Sequence, residues 1–211
     1  MSQARPLSPE EFQAAANVSR ETMARLEAYA ELLKRWQPAV NLVAASTLPD
    51  LWRRHMLDSA QLLPLLPRPS AKLADLGSGA GFPGLVLALI GAGEVELLES
   101  DARKCAFLRE AIRVTEASAR VREGRLEAAT GGRFEVVTAR ALAPLSTLLA
   151  HAERLLAPGG CALFLKGRKV EEELTEAAKA WKIRLERFPS LTDPGGWVLR
   201  VKEITRVRSN R

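Results

Sequence analysis

Cysteine is scarce in this sequence, and its scarcity excludes two chemistries. The 211 residues hold two cysteines, Cys105 and Cys161, far apart and each in an apolar or helical setting. Neither the pairing of a disulfide framework nor the spacing of a zinc site is present. Both are expected to be reduced core residues, and no metal is expected. Long apolar runs are missing too. The start, MSQARPLSPEEF, has no uninterrupted hydrophobic stretch, and no run approaches the roughly 18 residues of a membrane span. A signal peptide and a membrane anchor are therefore not expected, and the predicted location is the cytoplasm. There is no internal repeat, no low-complexity segment and no nucleophilic triad. Aromatic residues make up only 5% of the chain, so a ligand read by stacking has few platforms. What is present is a globular composition, 47% hydrophobic, with an excess of six positive charges. That length suits one domain, and that charge favours an anionic partner such as nucleic acid. A monomer is expected.

Along the chain, helical patterns come first. Ser8-Pro9-Glu10-Glu11 combines an N-cap serine, a proline at the first helical position and a glutamate at the third. A second helix starts at Ser19, carries Met23, Leu26, Tyr29, Leu33 and Trp36 at helical spacing, and is expected to stop at Pro38. A third helical stretch begins near Thr47, carries Leu51, Trp52, Met56 and Leu57, and ends around Pro64. Residues 1–66 thus read as a helical cap. From 70 to 211, short apolar runs alternate with helical patterns: KLADL, EVELLE, ARVRE, FEVVTA and CALFLK as strands, with PGLVLALI, ARKCAFLREAIRV, PLSTLLAHAERLL and VEEELTEAAKAW among them as helices. Such alternation predicts an α/β fold with a doubly wound, mostly parallel sheet. IRLERF and WVLRVKEI, separated by Thr192-Asp193-Pro194-Gly195-Gly196, predict a closing antiparallel hairpin and bring the count to seven strands.

The densest signal is ADLGSGAGFPG, residues 74–84, with glycine at 77, 79, 81 and 84 directly after the first strand. Glycine costs about 0.5 to 1 kcal/mol relative to alanine inside regular structure, so such a cluster marks backbone that a ligand must approach. Gly79, Gly81 and Gly84 match G-x-G-x-x-G, and Glu99 ends the second strand where an acid binds a ribose hydroxyl. A dinucleotide and an adenosyl cofactor share both features. Asp75 favours the second, because a carboxylate there suits a sulfonium or ammonium and repels a pyrophosphate. The Leu155–Leu163 segment, with a Pro-Gly-Gly turn before the fifth strand, and the closing hairpin agree with a Rossmann-like class I methyltransferase using S-adenosylmethionine.

The resemblance then becomes specific. NLVAAST at 41–47, RHMLDSAQLLP at 54–64, ADLGSGAGFPGLVLAL at 74–89, LLESDARKCAFL at 97–108, GRLEAA at 124–129, VVTARALAPL at 136–145 and LAPGGCALFLKGRKVEEEL at 156–174 resemble the ribosomal small-subunit methyltransferase G family, also called glucose-inhibited division protein B. The resemblance implies N7 methylation of one guanine in 16S ribosomal RNA near the decoding centre, with that RNA or the small-subunit ribonucleoprotein as partner. It also implies that Gly77 and Phe82 line the methionine end of the cofactor, that Leu126 and Glu127 flank the adenine, and that Arg140 belongs to the cofactor site. N7 has a lone pair and no proton, so direct displacement needs no general base.

Other residues admit two readings. Glu99 serves the ribose or is a solvated strand end. Glu127 serves the adenine or complements a helix dipole. His55 and Asp58, three apart on one helical face, either orient the target loop together with Arg140 or fix the cap against the sheet. Arg53, Arg54, Lys166, Arg168 and Lys169, like the cations between 103 and 125, either contact phosphate or form a solvated face. Two other functional classes remain at this point: a nicotinamide oxidoreductase, and an assembly factor that keeps the fold without the chemistry.

Overall fold

The computed structural model describes residues 5–129 and 133–207. The tail cations Arg208 and Arg211 lie outside these residues.

Helix α1 (Pro9–Ala16) opens with the expected capping box: the Ser8 hydroxyl accepts from the Glu11 N–H, and the Glu11 carboxylate accepts from the Ser8 N–H. Helix α2 (Arg20–Val40) runs through Pro38 instead of stopping there. Its end is set by Asn41, left-handed at φ 51°, whose N–H returns to the Gln37 carbonyl at 3.0 Å. The Gln37 side chain completes the stop by accepting from the Leu42 and Val43 N–H groups, each at 3.0 Å. A proline in the final turn is compatible with this, because the chain leaves the helix three residues later under separate control.

The third helical stretch is a composite. A 3-10 segment (Ala45–Asp50) leads into a π-helical turn (Trp52–Leu57) and a short α3 (Asp58–Ala60), followed by 3-10 residues Leu63–Leu65. In the wider turn the Asp58 N–H reaches the Arg53 carbonyl five residues back. Irregular turns of this type concentrate at functional positions.

Beyond the cap, β1 (Leu73–Leu76), α4 (Gly84–Ile90), β2 (Val95–Glu99), α5 (Ala102–Thr115), β3 (Ala119–Glu123), β4 (Phe134–Arg140), α6 (Leu145–Leu155), β5 (Leu156–Lys166), α7 (Val170–Ala178), β6 (Trp181–Pro189) and β7 (Trp197–Arg206) form one seven-stranded sheet ordered β3-β2-β1-β4-β5-β7-β6. Its strands are parallel except β7, which is antiparallel to both neighbours. The Pro-Gly-Gly expected as a turn lies inside β5 as a bulge: Leu156 pairs with Phe134, and pairing resumes five residues on, at Cys161 opposite Val136.

Alternation along the strands divides the core. Leu73, Leu97, Val136 and Leu163 face the side covered by α4, α5 and the cap, where they pack with Phe12, Leu26, Tyr29, Leu33 and Phe107. Ala74, Leu76, Val137 and Phe164 face α6 and α7. The cap therefore shares a core with the sheet. Both cysteines are buried and free. The strand order reverses between β1 and β4, where α/β sheets open a crevice at the carboxyl ends of their strands.

Candidate cofactor and substrate site

The glycine turn occupies that crevice. Gly77, Gly79 and Gly81 all have positive φ, at 60°, 56° and 96°, which L side chains adopt only with strain. A Cβ on Gly84 would lie 2.6 Å from the Cβ of Asp75, so this glycine lets α4 pack onto β1. Gly79 differs, since a Cβ there would meet only the Gly77 carbonyl at 3.8 Å and otherwise open space. A backbone face that no side chain covers, at a strand-to-helix turn, is available to a ligand.

Two carboxylates hold the turn. Glu99 is buried, not a solvated strand end, and accepts from the N–H groups of Gly79, Ser100 and Asp101 at 2.7 to 2.8 Å. Asp75 is wholly buried beneath the turn rather than lining a cleft. Its Oδ1 accepts from the Thr138 hydroxyl at 2.7 Å, while its Oδ2 has no hydrogen-bond partner among the described residues. Burial pushes its pKa up to about 6. A buried carboxyl oxygen without a donor, next to open glycine backbone, matches a cationic adenosyl ligand and opposes a pyrophosphate.

Two clefts flank the turn. One, of about 410 Å³, is framed by Ser100, Gly124, Arg125, Leu126 and Glu127 at the carboxyl ends of β2 and β3. Leu126–Ala128 is a single 3-10 turn, so Glu127 has no α-helix dipole to complement. From α6, Arg154 donates to the Leu126 and Glu127 carbonyls at 3.0 and 3.1 Å and braces this wall. Arg154 carries no motif and is visible only in the fold.

The other cleft, of about 420 Å³, lies at the carboxyl ends of β4 and β5, walled by the cap on one side and the β6–β7 loop on the other. Arg140 stands between them. Its guanidinium donates to His55 Nδ1 at 2.8 Å and to the Arg54 carbonyl at 3.1 Å, pairs with Asp58 at 3.3 Å, and lies 5.1 Å from the Phe82 ring centre. Because arginine only donates, His55 Nδ1 must accept, which places the imidazole proton on Nε2, facing the Thr47 hydroxyl at 2.7 Å. Burial, reinforced by the charges of Arg140 and Arg54, pushes the His55 pKa down to about 3. Asp58 in turn accepts from Gln61 and from the Thr192 hydroxyl of the β6–β7 loop. His55, Asp58 and Arg140 are thus brought together as one neutral-histidine network tying cap, sheet and hairpin. Phe82 packs against His55, with ring centres 4.9 Å apart, and against Tyr29, whose hydroxyl donates to the Ala80 carbonyl of the glycine turn.

The expected RNA-contacting cations divide. Arg53 is turned inward, paired with Asp50 at 3.2 Å and donating to the Arg5 carbonyl at 2.9 Å. Lys166 is also internal: its ammonium pairs with Glu173 at 2.6 Å and donates to the Ala143 carbonyl. Glu173 moreover accepts from the Leu145 N–H that opens α6. Arg54, Arg168 and Lys169 are exposed, and their side chains have no ion-pair partner among the described residues. The 103–125 run is largely a face of ion pairs, with Arg109 on Glu123, Arg113 on Glu110 and Arg120 on Glu96.

A family model described as rRNA small subunit methyltransferase G matches residues 22–193. The chain belongs to this family. It is 57% identical over 203 residues to the ribosomal RNA small subunit methyltransferase G of Paramagnetospirillum magneticum, covering 96% of this chain and 99% of that one. With the enzyme of the same name from Rhodospirillum centenum it shares 59% over 194 residues, 92% of this chain and 90% of that one. Among solved structures it resembles a TehB-like S-adenosylmethionine-dependent methyltransferase from Corynebacterium glutamicum, with a TM-score of 0.56 at 20% identity over 84% of this chain and 99% of that one. It also resembles the M. jannaschii protein TYW2 in complex with AdoMet, with a TM-score of 0.55 at 15% identity over 72% and 76%. These two establish the class I methyltransferase fold. As a family member the chain is an S-adenosylmethionine-dependent methyltransferase, and the nicotinamide reading falls away. No group of side chains suited to a metal occurs among the described residues, and no helix among them is long and apolar enough to cross a membrane.

Proposed function

We propose that this protein methylates N7 of one guanine in 16S ribosomal RNA near the decoding centre, acting in the cytoplasm as a monomer. The relatives' names supply the RNA class. What supports N7 is the chemistry of the cleft beside the glycine turn: its histidine has both nitrogens engaged and a pKa pushed down to about 3, which makes it a poor proton acceptor. N7 needs none removed.

In this reading Glu99 and the open Gly79 backbone receive the ribose and adenosine side of the cofactor, Leu126 and Glu127 flank the adenine, and Gly77, Gly81, Phe82, Asp75 and Arg140 shape the methionine end. The bound cofactor supplies a methyl group whose bond to sulfur breaks, leaving its electron pair on sulfur, as the N7 lone pair forms the new bond and the base takes up the positive charge. The chain's contribution is placement. Arg140, fixed by His55 and Asp58, sets the floor of the cleft, and Tyr29 and Phe82 set the turn against the cap. Alignment of this type supplies on the order of 7 to 11 kcal/mol of barrier reduction. Exposed Arg54, Arg168 and Lys169 at the cleft rim meet phosphates and orient the RNA.

The test is incubation with tritiated S-adenosylmethionine and small subunits from cells lacking the enzyme, followed by borohydride and aniline cleavage and primer extension. Label at a single guanine that becomes cleavable is the expected result. Binding of subunits without transfer of label means an assembly factor, and label without cleavage means another atom.

A further inference from the structure

The substrate cleft is lined mostly by polar groups already committed to one another. Thr47, His55, Asp58 and Arg140 form the network described above, and Lys166 and Glu173 neutralise each other. Ser190 accepts from the Thr192 and Asp193 N–H groups. Asp193 is different. Its Oδ1 accepts one bond, from the Gly195 N–H at 3.0 Å within its own turn, and its Oδ2 has no partner among the described residues. Asp193 lines the cleft and is half-buried.

We propose that Asp193 reads the Watson–Crick edge of the target guanine and is a specificity-determining residue. The proposal rests on the functional reading above. A carboxylate only accepts, so a free one in a base-sized cleft selects a base that presents donors. Guanine offers N1–H and the N2 amino group side by side, whereas adenine offers an acceptor at N1. Placement agrees. The glycine turn follows β1, and the loop bearing Asp193 precedes β7, with β4 and β5 between them. Three strand spacings amount to roughly 14 Å, which leaves room for a methyl donor at one end and a purine across the gap. N7 lies on the side of the purine away from N1 and N2. A guanine with N7 toward the glycine turn therefore turns its donor edge toward the β6–β7 loop, as bases taken out of a stack are commonly read. Trp197, at the start of β7, lines the same cleft, with the Arg187 guanidinium 5.7 Å from its ring centre.

The experiment pairs protein and base changes. Wild type, Asp193→Asn and Asp193→Ser are compared on small-subunit RNA carrying either guanosine or inosine at the target, inosine lacking only the N2 amino group. Both substitutions keep an oxygen able to accept from Gly195, and thermal unfolding checks the fold. Wild type should methylate inosine roughly 5- to 100-fold more slowly than guanosine, in the range of one good paired contact to a base edge. Each variant should lose a comparable factor on guanosine and discriminate between the two bases less than about threefold. The loss should fall also on the affinity for guanosine RNA, measured without cofactor. Unchanged discrimination in the variants, or guanosine activity equal to wild type, overturns the assignment of Asp193. Failure of wild type to methylate guanosine at N7 overturns the functional reading itself.

Discussion

Asp75 and His55 are both buried, and burial shifts them in opposite directions. The carboxyl of Asp75 is held at about 6, above its reference 3.8, so between those values the folded chain keeps a proton that the unfolded chain has released. Stability there rises as pH falls, by up to about 1.4 kcal/mol per unit. His55 is held at about 3, below its reference 6.5, so across that window the unfolded chain binds the proton and stability falls as pH falls. The two slopes offset each other from about pH 6 to pH 4. Asp75→Asn is expected to unmask the His55 slope, which urea unfolding at pH 6 and pH 4.5 will measure. At pH 7.5 the same substitution should stabilise the unliganded protein by up to about 3 kcal/mol, the size of the Asp75 shift, while weakening cofactor binding. The glycines separate at this scale too. Gly84→Ala drives a methyl group to 2.6 Å from the Cβ of wholly buried Asp75, so its expected effect is on folding. Gly79→Ala enters open space, and beyond the left-handed backbone cost of about 1 to 2 kcal/mol it should act on cofactor affinity. Calorimetry of a folded Gly79→Ala showing wild-type affinity would remove the turn from the cofactor site. The sequence identified the glycines and both acids, but not their geometry. Glycine at a tight packing point and glycine at an open ligand face are the same letter.

Among the elements, strands and capped helices were legible because period and cap chemistry are local. Ser8, Ser19 and the alternation from β1 to β5 needed no partner elsewhere. Pro38 misled because the stop signal is the Asn41 and Gln37 pair, whose bonds form across the helix end. The π turn at Trp52–Leu57 was hidden because its Arg54 carbonyl is taken by Arg140, a residue 86 positions away. The same distance problem governs the cations. Lys166 looks like a rim cation in sequence, yet its partner Glu173 lies one turn into α7. Lys166→Ala should therefore cost stability, by freeing Glu173 and the Leu145 N–H cap beside it, and leave the salt dependence of RNA binding nearly unchanged. Arg54→Ala, Arg168→Ala and Lys169→Ala should each lower the log-log salt slope by about 0.7 for a single-stranded target. Titrations at several salt concentrations distinguish the two sets, and a reduced slope in Lys166→Ala alone would reverse this assignment.

At the scale of the whole molecule, cap, sheet and hairpin meet at one cleft, and three long-range bonds fix their relation: Tyr29 to Ala80, Arg140 to His55, and Thr192 to Asp58. Each joins residues more than fifty positions apart, so the fold class was legible in the sequence and this convergence was not. Its consequence is chemical. A site whose His55, Asp58 and Arg140 are spent on holding three elements together is suited to alignment, and Asp193, which keeps a free oxygen, is assigned to the far edge of the base and not to proton removal. The single-turnover rate at saturating cofactor and subunits should then be nearly flat from about pH 6.5 to 9, a range that starts at the reference value of histidine and ends below that of lysine. His55, held near 3, does not titrate within it. His55→Ala removes the acceptor for Arg140 and lets its guanidinium drift, so the expected loss is a pH-independent fall in rate, one to two orders of magnitude if the drift approaches an ångström. His55→Gln, which keeps an acceptor in reach of Arg140, should recover part of it. A wild-type rate climbing tenfold per pH unit with a midpoint near 7, abolished by His55→Ala, would mean that a proton is lost during transfer. The methylated atom would then be an exocyclic amine or ring N–H, and the neutral histidine would have to be the base that removes its proton.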